Sequence, residues 1–300
     1  MTVIESPPHT PLAVETAVEA AAEVGLTGVE HAAVLQGNGN VIAVIELAGQ
    51  DQHPREVLTS AAVAVATAVR SVRVDGVLFF YPRHPDGLRM VFHDRDGTWE
   101  AMCGNGLRCL ARYAADRGLI AGSGVVVTDD GEKVVRVDGE DVEVVLGAQR
   151  QVRRLAPDRW FAYNGVAHLV VFVGSDELGR IDVPAEGARL RYDAALCTEL
   201  GHPHGVHVNF AAVEPGGLAV RTYEVGVEDE TSCCGTGVTA SAALAALSGR
   251  VRLPVAVRTP GGLLRVSRQG QDLTLAGPTG YLAGHPRALD LIEANLEARV

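Results

Sequence analysis

The sequence predicts an α+β fold with two similar domains that face each other. Residues 102–106 (MCGNG) and 232–237 (SCCGTG) each place a cysteine before Gly-X-Gly, and each then runs into a helical pattern. These two signatures lie in different halves of the chain, and many strand-like runs with few helices surround both. The same order of elements in each half indicates a duplication. This inference rests on the order of elements alone, because the sequence identity between the halves is low.

The first half contains strand-like runs separated by turns. A Gly-Asn-Gly-Asn turn at residues 37–40 divides the first two runs, which together span residues 34–47. Helices are predicted at residues 60–72 and 105–116, and the second of them directly follows the first signature. The remaining strands and turns of this half are predicted at residues 77–81, 88–93, 94–97 and 124–146.

The second half repeats this order. Three strands precede the second signature, which opens a predicted helix at residues 238–247, and three more strands follow it. These strands are predicted at residues 167–173, 207–213, 219–224, 255–259, 263–268 and 273–276. We expect one domain to comprise residues 31–147 together with 278–300, and the other to comprise residues 148–277.

Composition limits the classes of partner. The 300 residues carry a net charge of -11 and are 47% hydrophobic, which is enough to fill one or two sizeable cores. The negative charge argues against nucleic acid or an anionic membrane as the main partner, and no apolar run reaches the length of a transmembrane helix. Residues 1–30 lack the pattern of a signal peptide and are expected to be an extension, in which residues 11–25 form either a short helix or a frayed segment.

The five cysteines indicate a reducing compartment. Their odd number and spacing do not suit a disulfide framework, so we expect a cytoplasmic protein. Lys133 is the only lysine, and it falls in a predicted hairpin turn. Because a pyridoxal phosphate enzyme needs a lysine for its Schiff base, the sequence argues against that cofactor, and we expect none. The cysteines are Cys103, Cys109, Cys197, Cys233 and Cys234.

A matched pair of cysteines suits chemistry that needs one base and one acid. Inversion of an amino acid's α-carbon removes a proton on one face and returns a proton on the other. A helix N-terminus favours thiolate through its unpaired N–H groups, so Cys103 and Cys234 are expected to serve as base and acid, with exchanged roles in the reverse direction. The same N–H groups can bind the α-carboxylate, and the adjacent glycines allow a close backbone approach.

The two signatures resemble those of the diaminopimelate epimerase family, whose members are two-cysteine epimerases that do not use pyridoxal phosphate. The similarity includes residues 102–109 (MCGNGLRC) and 228–237 (EDETSCCGTG), and it runs from about His31 to the C-terminus. It implies two pseudo-symmetric α/β domains, each a mixed or antiparallel sheet wrapped around a central helix, with the active site in the cleft between them. The implied partner is a small amino-acid substrate, and the sequence leaves open a monomer or a homodimer.

The resemblance also implies roles for individual residues. Cys103 and Cys234 match the catalytic pair, whereas Cys233 falls where the family usually has alanine. Glu224 and His168 match the acid and the histidine that assist the thiols. The positions that hold the α-amino and α-carboxylate groups of the substrate match Asn40, Gly104, Asn105, Gly235 and Thr236.

The residues that hold the far carboxylate of diaminopimelate have all changed. The family uses three asparagines and an arginine, and the matching residues here are Asp94, Val166, His207 and Val225. Loss of the arginine and gain of an aspartate would reject that carboxylate by charge repulsion. We therefore expect a racemase or epimerase of another amino acid, whose cationic side chain Asp94 favours and whose apolar stem Val166 and Val225 line.

Several alternatives stay open. Asp94 can equally be an ordinary turn residue, His168 can be a structural strand histidine, and His207 can either line the pocket or pair with Asp94. Cys233 beside Cys234 and the histidines of residues 202–207 (HPHGVH) lack the spacing of a metal site, so no metal is expected.

The function itself also has alternatives. The chain can be a diaminopimelate epimerase with a rearranged pocket, or an isomerase similar to proline racemase. In a different class, it can be a redox-sensing or ligand-binding protein without catalysis, in which Cys103 and Cys234 form a disulfide under oxidising conditions.

Overall fold

The computed structural model describes residues 10–50 and 52–283. Within these ranges the chain forms seven helices and eighteen strands. The helices are α1 Thr10–Glu23, α2 Arg55–Ala68, α3 Gly104–Asp116, α4 Ser175–Leu178, α5 Val183–Arg191, α6 Ala194–Leu200 and α7 Gly235–Leu247.

The strands fall into two sets that are separated in the sequence. Those of the first half are β1 Val29–Gly37, β2 Asn40–Leu47, β3 Gly76–His84, β4 Gly87–Asp94, β5 Trp99–Glu100, β6 Ser123–Thr128, β7 Gly131–Asp138 and β8 Asp141–Gly147. Those of the second half are β9 Arg150–Arg154, β10 Arg159–Tyr163, β11 Ala167–Phe172, β12 His207–Glu214, β13 Gly217–Glu224, β14 Asp229–Thr231, β15 Val255–Thr259, β16 Gly262–Gln269, β17 Asp272–Pro278 and β18 Gly280–Ala283.

Strand pairing follows one scheme twice. In the first half, β1 pairs antiparallel with β2, β2 runs parallel to β3, β3 is antiparallel to β4, β4 is parallel to β6, and β6, β7 and β8 are antiparallel. The second half has the same series in β10, β11, β12, β13, β15, β16 and β17, with parallel pairs at the same two places. The short strands β5 and β14 occupy matching positions beside β4 and β13. The duplication expected from the order of elements is therefore present in the topology.

Each half surrounds one central helix. Helix α3 packs against strands of the first half, and α7 packs against strands of the second half. The sequence of α7 explains its position, because Gly235–Leu247 has no charged face and its residues up to Ala245 are buried; a helix that is apolar all round must be enclosed. Both helices share one apolar cluster, which includes Leu107, Val238 and Leu275.

Two further apolar clusters cover the outer faces of the sheets. One lies beneath α1 and α2 in the first half, and the other beneath α4, α5 and α6 in the second. The halves join where β8 pairs antiparallel with β17, and β18 returns to pair with β1. That return agrees with assigning residues from 278 onward to the first domain, but the boundaries at 147 and 277 stay a prediction.

Several elements differ from the sequence prediction. Residues from Thr10 form helix α1, which packs on α2 and β1, so the helical alternative holds for the described part of the extension. Helix α2 begins at Arg55 rather than residue 60 because Pro54 precedes it as the N-cap.

Three short helices, α4, α5 and α6, were not predicted. Two of them have standard capping signals, because Asp182 accepts a hydrogen bond from the Ala185 N–H and Asp193 accepts one from the Leu196 N–H. Gly201 ends α6 in the left-handed conformation. No helix in the described ranges is long and apolar enough to cross a membrane.

Substitution of Gly187 by alanine tests how closely α5 packs on β13. A Cβ at this position would lie 2.3 Å from the Cβ of Tyr223, the residue before Glu224, so α5 must move away from the strand. We expect Gly187→Ala to lower the free energy of unfolding by about 1–3 kcal/mol in urea denaturation, although alanine is the better helix former.

Gly179→Ala is the matched control for this experiment. Gly179 has a φ of -67°, and the nearest atom to an added Cβ is 4.0 Å away. Equal stability of the two variants would contradict the close packing of α5 on β13.

Candidate active site

Each signature cysteine is the residue immediately before a central helix. Cys103 is the N-cap of α3, and its sulfur accepts a hydrogen bond from the Gly106 N–H at 3.3 Å. Cys234 is the N-cap of α7, and its sulfur lies 3.5 Å from the Thr236 hydroxyl. Both thiols thus lie at helix ends that carry unpaired backbone N–H groups.

The two helix N-termini meet at glycines. A Cβ added to Gly104 would lie 3.7 Å from the Cα of Gly235, and a Cβ added to Gly235 would lie 3.5 Å from the backbone nitrogen of Asn105. Gly235 has the least room, because its added Cβ would also lie 3.0 Å from Cδ2 of Leu275, whereas a Cβ on Gly104 would make only ordinary contacts. Because both ends carry partial positive charge, the space beside them favours an anion such as a carboxylate.

The side chain of Asn105 connects the signatures to each other. Its amide nitrogen donates to the Cys233 carbonyl at 2.8 Å, and its amide oxygen accepts from Arg108 at 2.7 Å. Both ends of this side chain are therefore occupied by protein groups. Asn105 can serve a substrate through its backbone N–H, whereas its side chain holds α3 against the loop that precedes α7.

One cleft contains most of the predicted site residues. Of the residues predicted to be catalytic or to bind the substrate, all but Asn40, His168 and Val225 line this cleft. The lining residues are Phe92, Asp94, Glu100, Met102, Cys103, Gly104, Asn105, Val166, His207, Glu224, Cys234, Gly235 and Thr236. The free space is only about 30 Å³, room for one or two water molecules, so the cleft must widen to admit an amino acid.

The structure places three predicted residues elsewhere. Asn40 lies in a separate cleft beside Asp75 and Ser232, because the turn that contains it directs Asn38, not Asn40, into the protein interior. Val225 does not line the cleft and contributes its backbone N–H, which donates to Nδ1 of His207 at 3.2 Å. His168 is fully buried behind His207, with ring centroids 5.0 Å apart.

The hydrogen bonds of the two histidines define their tautomers. The Asn209 amide nitrogen donates to the Leu169 carbonyl and lies 3.2 Å from Nδ1 of His168, while the Thr222 hydroxyl donates to the Asn209 oxygen. Nδ1 of His168 is therefore an acceptor, as is Nδ1 of His207, and neutral rings carry the proton on Nε2. Burial lowers the pKa of His207 to about 4 and that of His168 well below its usual range, so both rings are neutral at pH 7.

Three carboxyl groups face the cleft, and no arginine or lysine lines it in the described part of the chain. Burial raises the pKa of Glu224 and of Glu100 to about 7. Burial raises the pKa of Asp94 well above its usual range, and the nearby charge of Glu224 raises it further. The cleft is therefore acidic and partly protonated at neutral pH.

Burial dominates the thiols as well. It raises the pKa of both Cys103 and Cys234 well above the usual range, and the Glu224 charge adds to the effect. The Gly106 N–H lowers the pKa of Cys103 by less than burial raises it. Burial thus opposes the effect of the helix N-termini and favours protonated thiols in the closed cleft, and the expected resting thiolate stays a prediction.

Glu224 is the group suited to receive a thiol proton. A ring nitrogen of His207, a carboxylate oxygen of Glu224 and the sulfur of Cys234 lie within 4.8 Å of one another. One carboxylate oxygen of Glu224 is buried without a hydrogen-bond partner. These three side chains could also surround a metal ion, but Nδ1 of His207 is occupied by the Val225 N–H, which leaves its other nitrogen protonated. The cluster fits proton transfer better than metal binding.

Two residues of this region, Glu100 and Arg108, were not predicted from the sequence. Glu100 lies directly opposite Phe92 in the β4–β5 pair, and Asp94 lies two residues beyond Phe92 on the same strand. The alternation of side chains therefore places all three on one face, a signal hidden by the brevity of β5. Arg108 was missed because nothing in a helical pattern distinguishes a fully buried arginine from an exposed one.

The fold and the paired thiols at facing helix N-termini are those of a cofactor-independent amino-acid epimerase. The chain belongs to the diaminopimelate epimerase family, whose model, described as diaminopimelate epimerase, matches residues 32–152 and 160–285. It is 34% identical to the diaminopimelate epimerase of Archaeoglobus fulgidus over 83% of this chain and 91% of that protein. It is also 34% identical to the enzyme of Methanocella arvoryzae, over 81% and 91% of the two chains.

Solved structures with lower identity share the fold. A hydroxyproline epimerase from Agrobacterium vitis aligns with a TM-score of 0.60 and 18% identity, covering 85% of this chain and 91% of that chain. A phenazine biosynthesis protein of the PhzF family from Bacillus anthracis aligns with a TM-score of 0.64 and 14% identity, covering 83% and 96%. These likenesses concern architecture alone.

The raised pKa of Glu224 predicts how activity depends on pH. Only the ionised carboxylate can accept a thiol proton, and its pKa is about 7, so kcat/KM is expected to rise as pH increases through 7. Glu224→Gln is expected to remove this rise and to lower kcat about 10²–10⁴-fold. Loss of the α-proton signal in deuterated water, followed by NMR, measures both quantities.

Glu132→Gln is the control for that variant, because Glu132 is an exposed glutamate on β7. It is expected to keep the wild-type profile. A wild-type profile that is flat between about pH 6 and 8 would contradict the role of Glu224 as proton acceptor.

Proposed function

We propose that this protein inverts the α-carbon of an amino acid other than diaminopimelate, and that the preferred substrate has a cationic side chain. Membership in the family supports the reaction class, and the geometry of the two thiols agrees with it. The choice of substrate rests on one observation, the acidic and cation-free end of the cleft around Asp94 and Glu100.

The α-carboxylate is proposed to bind between the facing ends of α3 and α7. Backbone N–H groups of Asn105 and Thr236 lie in the first turns of these helices, beside Gly104 and Gly235. Such groups bind the carboxylate and stabilise the negative charge that grows on it when the α-proton leaves. Because Asn40 lies outside the cleft, its predicted contact with the substrate is not part of this proposal.

Cys103 and Cys234 are proposed to act on opposite faces of the α-carbon. In one direction Cys234 passes its proton to Glu224 and then removes the α-proton as thiolate, while Cys103 donates its thiol proton to the other face. The reverse direction exchanges the two roles. His207 contributes a neutral ring near Glu224, and His168 packs behind it and maintains its orientation.

The side-chain end of the cleft supports a cationic substrate. A Cβ added to Gly226 would lie 2.8 Å from a carboxylate oxygen of Asp94. Asp94 therefore lies against the segment Val225–Gly226, where the family resemblance places an arginine. A distal carboxylate would face Asp94 and Glu100 without a cation to pair with it, which costs several kcal/mol when buried, whereas an ammonium or guanidinium group would be paired.

Diaminopimelate epimerase activity is the second candidate, and the curated relatives favour it. Proteins with that name are 31–35% identical to this chain. Diaminopimelate also carries a distal ammonium group, which the acidic end of the cleft could hold. Its distal carboxylate is the group for which the cleft offers no charged partner.

Lysine and diaminopimelate separate the two candidates, because they differ only by the distal carboxylate. We expect α-proton exchange in deuterated water to be at least about 100-fold faster in kcat/KM for lysine, ornithine, arginine or histidine than for diaminopimelate, as the loss of about 3 kcal/mol implies. Fast exchange of diaminopimelate with no exchange of the cationic amino acids would establish the second candidate instead.

Norleucine and Glu100→Gln are the matched controls for this panel. Norleucine retains the four-carbon side chain of lysine and lacks its ammonium group, so its exchange should be slow in the wild type. Glu100→Gln should raise KM for the cationic substrate about tenfold and leave the exchange of norleucine unchanged. An equal change for both substrates would show that Glu100 does not recognise charge.

Replacement of single cysteines separates an enzyme from a redox sensor or a binding protein. We expect Cys103→Ala and Cys234→Ala each to lower racemisation at least about 10³-fold, measured by polarimetry or chiral chromatography. Cys197→Ala, a buried cysteine whose thiol donates to the Arg191 carbonyl, should retain activity. Wild-type protein that binds an amino acid and never inverts it would favour the non-catalytic alternative.

A further inference from the structure

Arg108 is a buried cation whose position has no part in the chemistry described so far. It is the largest of the fully buried side chains. Its guanidinium donates to the Asn105 amide oxygen at 2.7 Å and to the Pro278 carbonyl at 3.1 Å. No carboxylate in the described part of the chain forms an ion pair with it, and its Nε is buried without a partner.

The protein makes room for this guanidinium with two glycines. A Cβ on Gly37 would lie 3.1 Å from one terminal nitrogen of Arg108, and a Cβ on Gly277 would lie 2.9 Å from the other. At these two positions, strands β1 and β17 leave space for the guanidinium, and a side chain larger than that of glycine would intrude on this space. An unpaired buried charge costs several kcal/mol, so a fold that retains it must gain something from the charge.

The charge lies behind the groups that become negative during the reaction. Arg108 contacts Asn105, and Asn105 contacts the Cys233 carbonyl, so this chain of hydrogen bonds passes beneath both signatures. Cys233 is the group whose charge interacts most strongly with Arg108, followed by Cys109 and then Cys103. Asp141 is the carboxylate that interacts with it at longer range.

We propose that Arg108 is a positioning residue that supplies the buried positive charge for the catalytic centre and fixes Asn105 so that the ends of α3 and α7 stay in register. The charge offsets the growth of negative charge on the substrate carboxylate and on the Cys103 sulfur. The hydrogen bond to Asn105 keeps the backbone N–H groups of α3 directed at the carboxylate. Arg108 does not line the cleft, whereas Asn105, to which it donates, does, so Arg108 acts through Asn105.

The test uses Arg108→Met, which removes the charge and keeps a similar length, and Arg108→Lys, which keeps the charge. Removal of an unpaired buried charge in favour of an apolar side chain is compatible with folding, and circular dichroism checks this. Arg112→Met is the control on the same helix, since Arg112 contacts the Thr279 hydroxyl near the surface.

The first measurement is alkylation of Cys103 by iodoacetamide at a fixed pH of about 8, read by mass spectrometry. Cys103 is the half-buried cysteine, whereas the other four are buried. The reaction rate follows the thiolate fraction, so Arg108→Met should slow it about tenfold. Arg108→Lys and Arg112→Met should react at nearly the wild-type rate. This measurement needs no substrate, so it stands even if the proposed substrate class is wrong.

The second measurement is steady-state kinetics on whichever amino acid the panel identifies. Arg108→Met should lower kcat about 100-fold with KM changed by less than about threefold, because the charge acts mainly on the transition state. Arg108→Lys should restore kcat to within about tenfold of wild type. Alkylation and kcat in Arg108→Met that match Arg112→Met would overturn the proposal. Equal impairment in Arg108→Lys and Arg108→Met would overturn the role of the charge.

Discussion

The contact between the N-termini of α3 and α7 is the constraint on which the rest of the structure depends. Two like helix ends repel each other, and here they meet at Gly104 and Gly235 with no side chain between them. The enclosing sheets, the β8–β17 junction and the hydrogen bond from Asn105 to the Cys233 carbonyl hold them together. A carboxylate beside them would relieve this repulsion, which supports the α-carboxylate site proposed above.

Burial, rather than the helix ends, sets the resting protonation of this centre. The closed cleft leaves almost no room for water, and desolvation raises the pKa of both thiols and of Asp94, Glu100 and Glu224. In the empty site these raised pKa values favour the protonated thiols and carboxyl groups, whereas the reaction needs some of them ionised. A zwitterionic amino acid brings an ammonium group into the cleft, and this positive charge favours ionisation of the neighbouring acids. Substrate binding and activation of the bases are therefore linked by electrostatics.

The sequence predicted the parts of this centre that depend on local pattern, and missed those that depend on tertiary packing. The cysteines, the glycines and the helices that follow them were recognisable because a helix start has a fixed local chemistry. Asn40 was assigned from the family resemblance, and only the fold shows that Asn38, in the same turn, is the buried asparagine. Glu100 was missed because β5 has only two residues, too few to show alternation. The pKa of a thiol at a helix end could not be predicted because it depends on how deeply the neighbouring domain buries it.

Relatives that share the reaction need not share the side chain of the substrate, for a structural reason. The proposed α-carbon chemistry depends on the two helix ends, where the halves of the protein pack against each other and a Cβ on Gly235 would lie only 3.0 Å from Leu275. The proposed side-chain end is lined by residues at or beside the ends of strands, namely Asp94 at the end of β4, Val166 before β11 and His207 at the start of β12. Such positions tolerate substitution without disturbing the core. Sequence identity of about a third with the diaminopimelate epimerases therefore indicates the class of reaction. The charge of the few residues at the side-chain end is the better guide to the substrate.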